Sequence, residues 1–268
     1  MCGILFVSQN KNIITRSNFF RILKSQKWRG PDNTSFKSLN KNKILLGHNR
    51  LSILDKKSRS NQPMESEDGR YFLIFNGEIY NYKKIVKKYK LKLKTTSDTE
   101  VVLKGYILKG KSILRELDGM FSFVIYDKKK SIWFCARDRF GIKPLYIYQD
   151  KIKTVIGSEA GTIAKLLNLK IDNVSIKEWK LLRSPTPNYT FFKKLNQFPK
   201  SCYRESNSVK NIPYYNLKRN NKKINFQKIK KLINYSVQSH QMGDVSCTSL
   251  LSGGIDSTII LKNSSKVK

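Results

Sequence analysis

The residue best equipped for chemistry stands second in the chain. In Met1-Cys2-Gly3-Ile4-Leu5-Phe6, removal of Met1 leaves Cys2 with a thiol and a free α-amine on one residue. A free thiol titrates near pH ~8.5 and an α-amine near ~7.7–8.0, so close to neutral pH the amine can take the thiol proton directly or through a water. Such a nucleophile carries its own base and needs no distant histidine. A cysteine side chain is also small enough to permit excision of the preceding methionine.

Other stretches hold groups suited to a small substrate. Tyr71-Phe72-Leu73-Ile74-Phe75 reads as an apolar strand that stops at Asn76-Gly77-Glu78. A side-chain amide and a glycine N–H at a strand end can converge on one point, as stabilisation of a tetrahedral oxyanion requires; an ordinary Asn-Gly turn is the alternative. Arg50, within Gly47-His48-Asn49-Arg50-Leu51-Ser52-Ile53-Leu54-Asp55, is either a surface charge or a carboxylate clamp, for which its fork of donors is suited. Ser97-Asp98-Thr99-Glu100 opens a helix, and capping accounts for one of Ser97 and Asp98. Further on, Val245 to Leu251 reads as a strand that runs into Ser252-Gly253-Gly254-Ile255-Asp256-Ser257-Thr258 and a helix. Strand, glycine loop and helix N-terminus together present amides to a phosphate. The lysine of the GxxxxGK[ST] loop is missing.

The elements that must position these groups are legible as patterns. Residues 3–8 read as a buried strand and 15–27 as an amphipathic helix with Phe19, Phe20 and Leu23 on its apolar side. Proline and glycine then make Trp28-Arg29-Gly30-Pro31-Asp32 a shaped loop. Strands are expected at about 120–127, 131–137, 144–149 and 153–158, with the alternation of a half-buried sheet. Arg137-Asp138-Arg139-Phe140-Gly141-Ile142-Lys143-Pro144-Leu145 reads as an ion-paired turn between two of them. Many strands with few helices up to about residue 200 indicate an α+β domain of two packed sheets flanked by helices. Residues 196–224 lose periodicity and read as a connector. Residues 225–242 can form a helix with Ile229, Leu232, Ile233, Val237 and Met242 inward. His48 and His240 are expected in structural or surface roles.

Composition narrows the class. With 268 residues, 39% of them hydrophobic, the chain can bury a sizeable core. Cys2, Cys135, Cys202 and Cys247 lie far apart without CxxC pairing, which argues against a disulfide or zinc framework. No stretch reaches the ~18–20 apolar residues of a membrane helix, and the start lacks a signal-like segment, so a cytoplasmic protein with no membrane partner is expected. The formal net charge of +34 could attract a polyanion. The lysines are dispersed, however, and pairs such as Lys83-Lys84 and Lys87-Lys88 stand at the spacing of a solvated helix face. Nucleic acid is therefore not the expected partner; a nucleic-acid binder would show steeply salt-dependent association.

Taken together, these residues resemble the glutamine-hydrolysing asparagine synthetase family. The likeness rests on Cys2-Gly3-Ile4, Arg29-Gly30-Pro31-Asp32, Arg50-Leu51-Ser52-Ile53, Asn76-Gly77-Glu78-Ile79-Tyr80-Asn81, Ser97-Asp98-Thr99-Glu100, Arg137-Asp138 with Gly141-Ile142-Lys143-Pro144-Leu145, and Leu251-Ser252-Gly253-Gly254-Ile255-Asp256-Ser257, in the family's order and spacing. It implies an N-terminal-nucleophile glutaminase, a four-layer αββα sandwich over residues 2–195. A connector over 196–224 and the start of an α/β ATP-pyrophosphatase domain over 225–268 would follow. By this likeness Cys2 attacks the glutamine side-chain amide, Asn76 and the Gly77 amide form the oxyanion hole, and Arg50 grips the α-carboxylate. Leu51, Ser52 and Ile53 frame the pocket, while Glu78 and Asp98 receive the α-ammonium. Ammonia would then pass to an aspartate activated by ATP with magnesium. Leu251, Ser252, Gly253, Gly254, Asp256 and Ser257 match the family's nucleotide loop, and the glutaminase step itself calls for no cofactor.

Two departures stand out: Trp28 where the family has histidine, and Val245-Ser246-Cys247 where it has Val-Pro. A nucleotide domain needs several strands covered on both faces. With Lys268 as the last residue, this one is expected to be incomplete, either completed by a companion chain or homodimer partner or left as a truncated or interrupted gene product, and to lack amide synthesis by itself. A non-catalytic remnant or binding module, and a glutaminase serving another ammonia acceptor, are the competing readings.

Overall fold

The computed structural model describes residues 1–218, 223 and 225–264. The parts of the expected connector at 219–222 and 224, and residues 265–268 of the expected nucleotide domain, lie outside the described residues. Two antiparallel sheets form the body. One has the order β10 (Leu195–Gln197), β8 (Tyr146–Gln149), β9 (Lys153–Gly157), β1 (Gly3–Gln9), β3 (Ile44–Arg50), β2 (Asn33–Leu39). The other has the order β12 (Ile212–Pro213), β11 (Cys202–Glu205), β7 (Ile132–Arg137), β6 (Gly119–Asp127), β5 (Tyr71–Ile79), β4 (Met64–Glu65). Helices α1 (Arg16–Ser25) and α4 (Ala160–Leu167) cover the first sheet; α2 (Tyr82–Tyr89) and α3 (Asp98–Lys109) cover the second, and α5 (Asn173–Leu182) follows α4.

Alternation along each strand builds the layers. On β1, Ile4 and Phe6 face the gap between the sheets, and Leu5 and Val7 face the helices. On β5, Phe72 and Ile74 face the gap, and Leu73 and Phe75 face the helices. Sheets covered on both faces need apolar residues at successive positions, which is why these strands read as continuous apolar runs. The half-buried sheet expected for residues 120–158 is corrected accordingly: Phe121 to Asp127 and Trp133 to Arg137 are buried at every position. The expected αββα sandwich is the observed one.

Three further expectations change. Residues 195–213, read largely as aperiodic connector, supply β10, β11 and β12, and Phe198 is fully buried between the sheets. Strands of two to four residues are too short to show a period. The turn after β7 is held by backbone hydrogen bonds rather than an ion pair. Arg137 donates to the carbonyls of Lys143, Phe198 and Gly141, and Asp138 accepts the amides of Phe121, Phe140, Ile142 and Lys143. In the last part, α6 (Phe226–His240) forms as expected, but Ile229 and Leu232 are 42% and 56% exposed rather than inward. Residues 245–251 make no strand beyond a single bridge residue, Cys247. A strand exists only through a ladder with neighbours, and among the described residues none lies beside it. Helix α7 (Ile255–Asn263) follows. No helix among the described residues is long and apolar enough to cross a membrane.

Candidate active site

At one end of the gap between the sheets lies a cavity of about 250 Å³, walled by the starts of β1 and α3, the ends of β3 and β5, the loop after β3 and the turn after β7. It is smaller than the ~300–1,000 Å³ pockets of drug-sized ligands and suits a single amino acid. Cys2, Arg50, Leu51, Ile53, Asn76, Gly77, Glu78 and Asp98 all line it. Ser52 does not; its amide is instead held by the Asp32 carboxylate at 2.7 Å.

Cys2 stands where β1 begins, between two fixed neighbours. The Leu51 N–H donates to its sulfur at 3.4 Å, and the Arg29 Nε–H donates to its carbonyl at 3.1 Å. Burial pushes the thiol up, while the Leu51 amide, the chain's α-amine and Lys143 pull it down. The loop carrying Arg29 needs glycine at position 30, where a Cβ would stand 2.4 Å from the Asn49 carbonyl oxygen. Trp28, in the histidine's place, points outward and is 66% exposed.

The expected stop at Asn76 is replaced by a continuing strand. β5 pairs with β6 through Asn76–Ser122, Gly77–Phe121 and Glu78–Met120 up to Ile79. Asn76 therefore continues the gap-facing row of Phe72 and Ile74 and points toward β1; it is 1% exposed and its Nδ2 has no partner among the described residues. The amides of Phe75 and Ile79 point away from β6, to the Gln62 side-chain oxygen at 2.6 Å and to Asp98 Oδ2 at 2.8 Å. Strand amides alternate in direction, so the Gly77 N–H lies on that same edge between them, and β4 reaches only Leu73 and Phe72. Gly77 is also obligatory for packing, because a Cβ there would meet the Met120 carbonyl oxygen at 2.4 Å.

The charged wall differs in detail from the sequence reading. Ser97 is the cap of α3, accepting the Thr99 amide, so Asp98 is left to face the cavity. Burial, opposed by the Ile79 amide and reinforced by Glu78, pushes Asp98 up to about 7. Glu78 is also raised, by burial first, with Lys143 opposing. Arg50 lines the cavity, but its four terminal N–H groups go to Lys57 O, Asn61 Oδ1, Leu54 O and Asp55 O. A two-pronged grip on a carboxylate is thus replaced by a buried positive charge with its Nε–H still to give.

Several residues of the site escaped the sequence reading. Asp55, with φ of 45°, folds the 51–55 loop around Arg50; burial opposes its ionisation, but the Thr96 and Lys57 amides and Arg59 hold it at about 2. Asp244, beyond α6, grips the same loop twice: its amide donates to Ile53 O at 2.9 Å and its carboxylate accepts the Asp55 amide at 2.8 Å. His240 stacks on Tyr80 with ring centroids 4.1 Å apart. Gln62 ties β5 to α3, accepting the Phe75 amide and donating to Thr99 Oγ1 at 3.4 Å. Lys143 brings a second cation into the cavity. Non-adjacent pairings of this sort leave no spacing signal in a sequence. His48 has the structural role expected of it: fully buried, kept neutral by burial at about 3, it bridges the sheets through Phe75 O at 3.1 Å.

The second expected site is a separate surface. Leu251, Ser252, Gly253, Gly254 and Asp256 are exposed and Ser257 half-buried, with Gly254 at the N-terminus of α7 and Gly253 at φ of 81°. Ser252 Oγ and Ser257 Oγ lie 3.1 Å apart across the loop. These residues fit a phosphate, because amides and hydroxyls converge at a helix start. The loop lies open at the surface, and Leu250 before it is 98% exposed. Among the described residues no three His, Cys, Asp or Glu side chains come together as a metal site.

Comparison with known proteins agrees with this division. The glutamine amidotransferase domain family matches residues 1–215, and the asparagine synthase family matches residues 228–266. A Methanocaldococcus jannaschii protein bearing the name asparagine synthetase [glutamine-hydrolyzing] 2 is 32% identical, with 97% of this chain aligned to 56% of that one. Asparagine synthetase B [glutamine-hydrolyzing] of Escherichia coli is 30% identical, with 97% of this chain aligned to 44% of that one. The chain thus spans about half the length of these relatives. Among solved structures, glutamine phosphoribosylpyrophosphate amidotransferase from B. subtilis superposes with a TM-score of 0.59 over 99% of this chain and 64% of that chain, at 15% identity, a likeness of fold.

Proposed function

Since the chain belongs to the glutamine amidotransferase domain family, in the type borne by glutamine-hydrolysing asparagine synthetases, we propose that the cavity at Cys2 hydrolyses glutamine to glutamate and ammonia. The observation that carries this reading is the convergence of Cys2, the unpartnered Asn76 amide, Arg50, Glu78 and Asp98 on one cavity sized for an amino acid. The α-ammonium of glutamine sits against Asp98 and Glu78, its α-carboxylate toward Arg50, and its side-chain amide at Cys2. With Met1 removed, the α-amine of Cys2 takes the thiol proton as sulfur bonds to the amide carbon. The carbonyl electron pair moves to oxygen, where the Asn76 Nδ2–H and Gly77 N–H receive it. Collapse breaks the C–N bond, ammonia leaves with the proton held by the amine, and water cleaves the thioester by the same route.

Residues 1–215 make up this unit, and residues from about 228 begin a nucleotide-binding one. The relatives' names and the second family match favour aspartate as the ammonia acceptor, activated by ATP with magnesium. Ser252, Gly253, Gly254 and Ser257 would hold phosphate oxygens there, with Leu251 and Asp256 beside them. The exposed loop licenses no further step. The test of the first reaction is stoichiometric release of glutamate and ammonia from glutamine, together with intact mass before and after a glutamine-analogue electrophile. Loss of the Met1 mass and a single adduct on Cys2 support the reading; a retained Met1 with no adduct overturns it.

Two expected results follow from the charged wall. Asp98 must be ionised to hold an ammonium, so KM for glutamine rises as pH falls below about 7, by up to ~10-fold per unit, and Asp98→Asn raises KM while flattening that dependence. The same burial carries a stability signature. A carboxyl raised above its unfolded value makes the fold less stable as pH climbs from the unfolded value to about 7. The Asp98→Asn protein therefore melts higher than the wild type at pH 8, and the gap closes near pH 4, as thermal melts at the two pH values will read. Asp244→Ala removes the carboxylate half of the grip on the 51–55 loop, the amide bond to Ile53 remaining, and is expected to raise KM several-fold with kcat little changed, measured by steady-state ammonia release.

A further inference from the structure

The turn after β7 has a purpose in the site that its expected role as an ion-paired loop does not cover. Lys143 is 6% exposed and lines the cavity together with Cys2, Met1 and Glu78. Its backbone is locked on both sides: its amide donates to Asp138 Oδ2 at 2.9 Å, and its carbonyl accepts the Arg137 Nε–H at 2.8 Å. Those anchors are themselves buried, Arg137 to 5% and Asp138 to 0% exposure. The ammonium, by contrast, takes part in none of the hydrogen bonds or ion pairs formed among the described residues. An unpaired buried cation costs stability, and a rigid turn that delivers one into a cavity calls for a use.

We infer that Lys143 is a positioning residue that acts through Cys2, its buried ammonium favouring the anionic sulfur and the uncharged α-amine together. Both effects have one physical cause. A positive charge attracts a thiolate and repels a protonated amine, and in a cavity sheltered from water each effect is stronger than in bulk. The electrostatics of the site agree in sign: Lys143 draws the Cys2 thiol down against burial, adds to burial in lowering the α-amine, which Met1 carries here, and is itself lowered by burial, against Glu78 and Cys2. The other charges facing the nucleophile are Arg29 from the loop after α1, Arg50 from β3, Glu78 from β5 and Asp98 from α3. Arg50 has its terminal donors committed, and Arg29 gives its Nε–H to the Cys2 carbonyl while its Nη2 has no partner among the described residues, which leaves Lys143 as the cation among these whose charged group makes no hydrogen bond among the described residues. This inference rests on the glutaminase reading for its purpose, since a thiolate and a free amine are what the attack on an amide consumes.

The experiment compares wild type, Lys143→Met, Lys143→Gln and Lys143→Arg, each as the full chain. The rate of Cys2 alkylation by iodoacetamide is followed from pH 6 to 10 by peptide mass, which separates Cys2 from the other cysteines. The thiolate displaces iodide, so the pH midpoint reports its ionisation. The expected result is a midpoint about one unit higher in the Met and Gln variants, with alkylation at pH 7 about tenfold slower, and a wild-type midpoint in the Arg variant. Removal of an unpaired charge is expected to leave the melting temperature at or above that of the wild type. Midpoints unchanged in both Met and Gln variants overturn the proposal, as does an Arg variant shifted as far as the Met variant, which marks a packing role. Ammonia release from glutamine is measured on the same samples. A wild type that releases none ends the glutaminase reading, while the alkylation midpoints still decide the role of Lys143.

Discussion

Cys2→Ala is expected to lower glutamine-dependent ammonia release by at least about 10³-fold while leaving the fold intact. Among the described residues the sulfur is the one thiol lining the cavity, and of the two hydroxyls there Ser97 caps α3 and Thr99 accepts from Gln62. The alanine loses only the contacts of a half-buried thiol with the Leu51 peptide, so thermal melts of the two proteins should nearly coincide. Glutamine should still bind, because Arg50, Glu78 and Asp98 are untouched, and binding by the inert variant is measurable by calorimetry. Ammonia release at the wild-type rate from Cys2→Ala would place the chemistry elsewhere.

Asn76→Ala is expected to cost about 10²–10³-fold in kcat, roughly 2.7–4 kcal/mol of transition-state stabilisation, with KM changed little. The split follows from geometry. The Asn76 Nδ2 makes no hydrogen bond among the described residues, so its removal orphans no partner there, and under the proposed reaction its use is reserved for an oxygen that gains charge. Stability should hold or rise slightly, since a buried donor without a partner is lost. A loss of melting temperature that matches the loss of rate would instead mark Asn76 as a packing residue of the β5–β6 pair. Gly77 offers no comparable test of the hole. Any side chain there collides with the Met120 carbonyl, and a dead Gly77→Ala protein would report a broken sheet.

Much of the scaffold was legible because its strands are covered on both faces. Apolar runs such as Ile4 to Val7 and Phe72 to Phe75 announce burial whatever lies on either side. The short strands at 195–213 have no such run and were read as linker. In the last part, Ile229, Leu232 and Ile233 keep the helical spacing expected of them but are not covered by the described residues. Periodicity states that a face is apolar, not what covers it.

The site divides in the same way. Its chemical inventory, a second-position cysteine, an Asn-Gly pair after an apolar strand, an arginine and two carboxylates, is local, and residue type together with chain order was enough to identify it. Its geometry is not local. That Asn76 faces β1 depends on the β5–β6 register. That the four terminal N–H groups of Arg50 already have partners depends on carbonyls of the 54–57 loop and on Asn61. That Asp98 and Lys143 meet one pocket, and that Asp244 holds the loop beside it, depends on packing among elements far apart in the chain. Covalent order determines which groups the chain owns. Only tertiary packing decides which of them share a cavity, which are desolvated there and which already have partners, because burial and hydrogen-bond saturation are properties of what surrounds an atom.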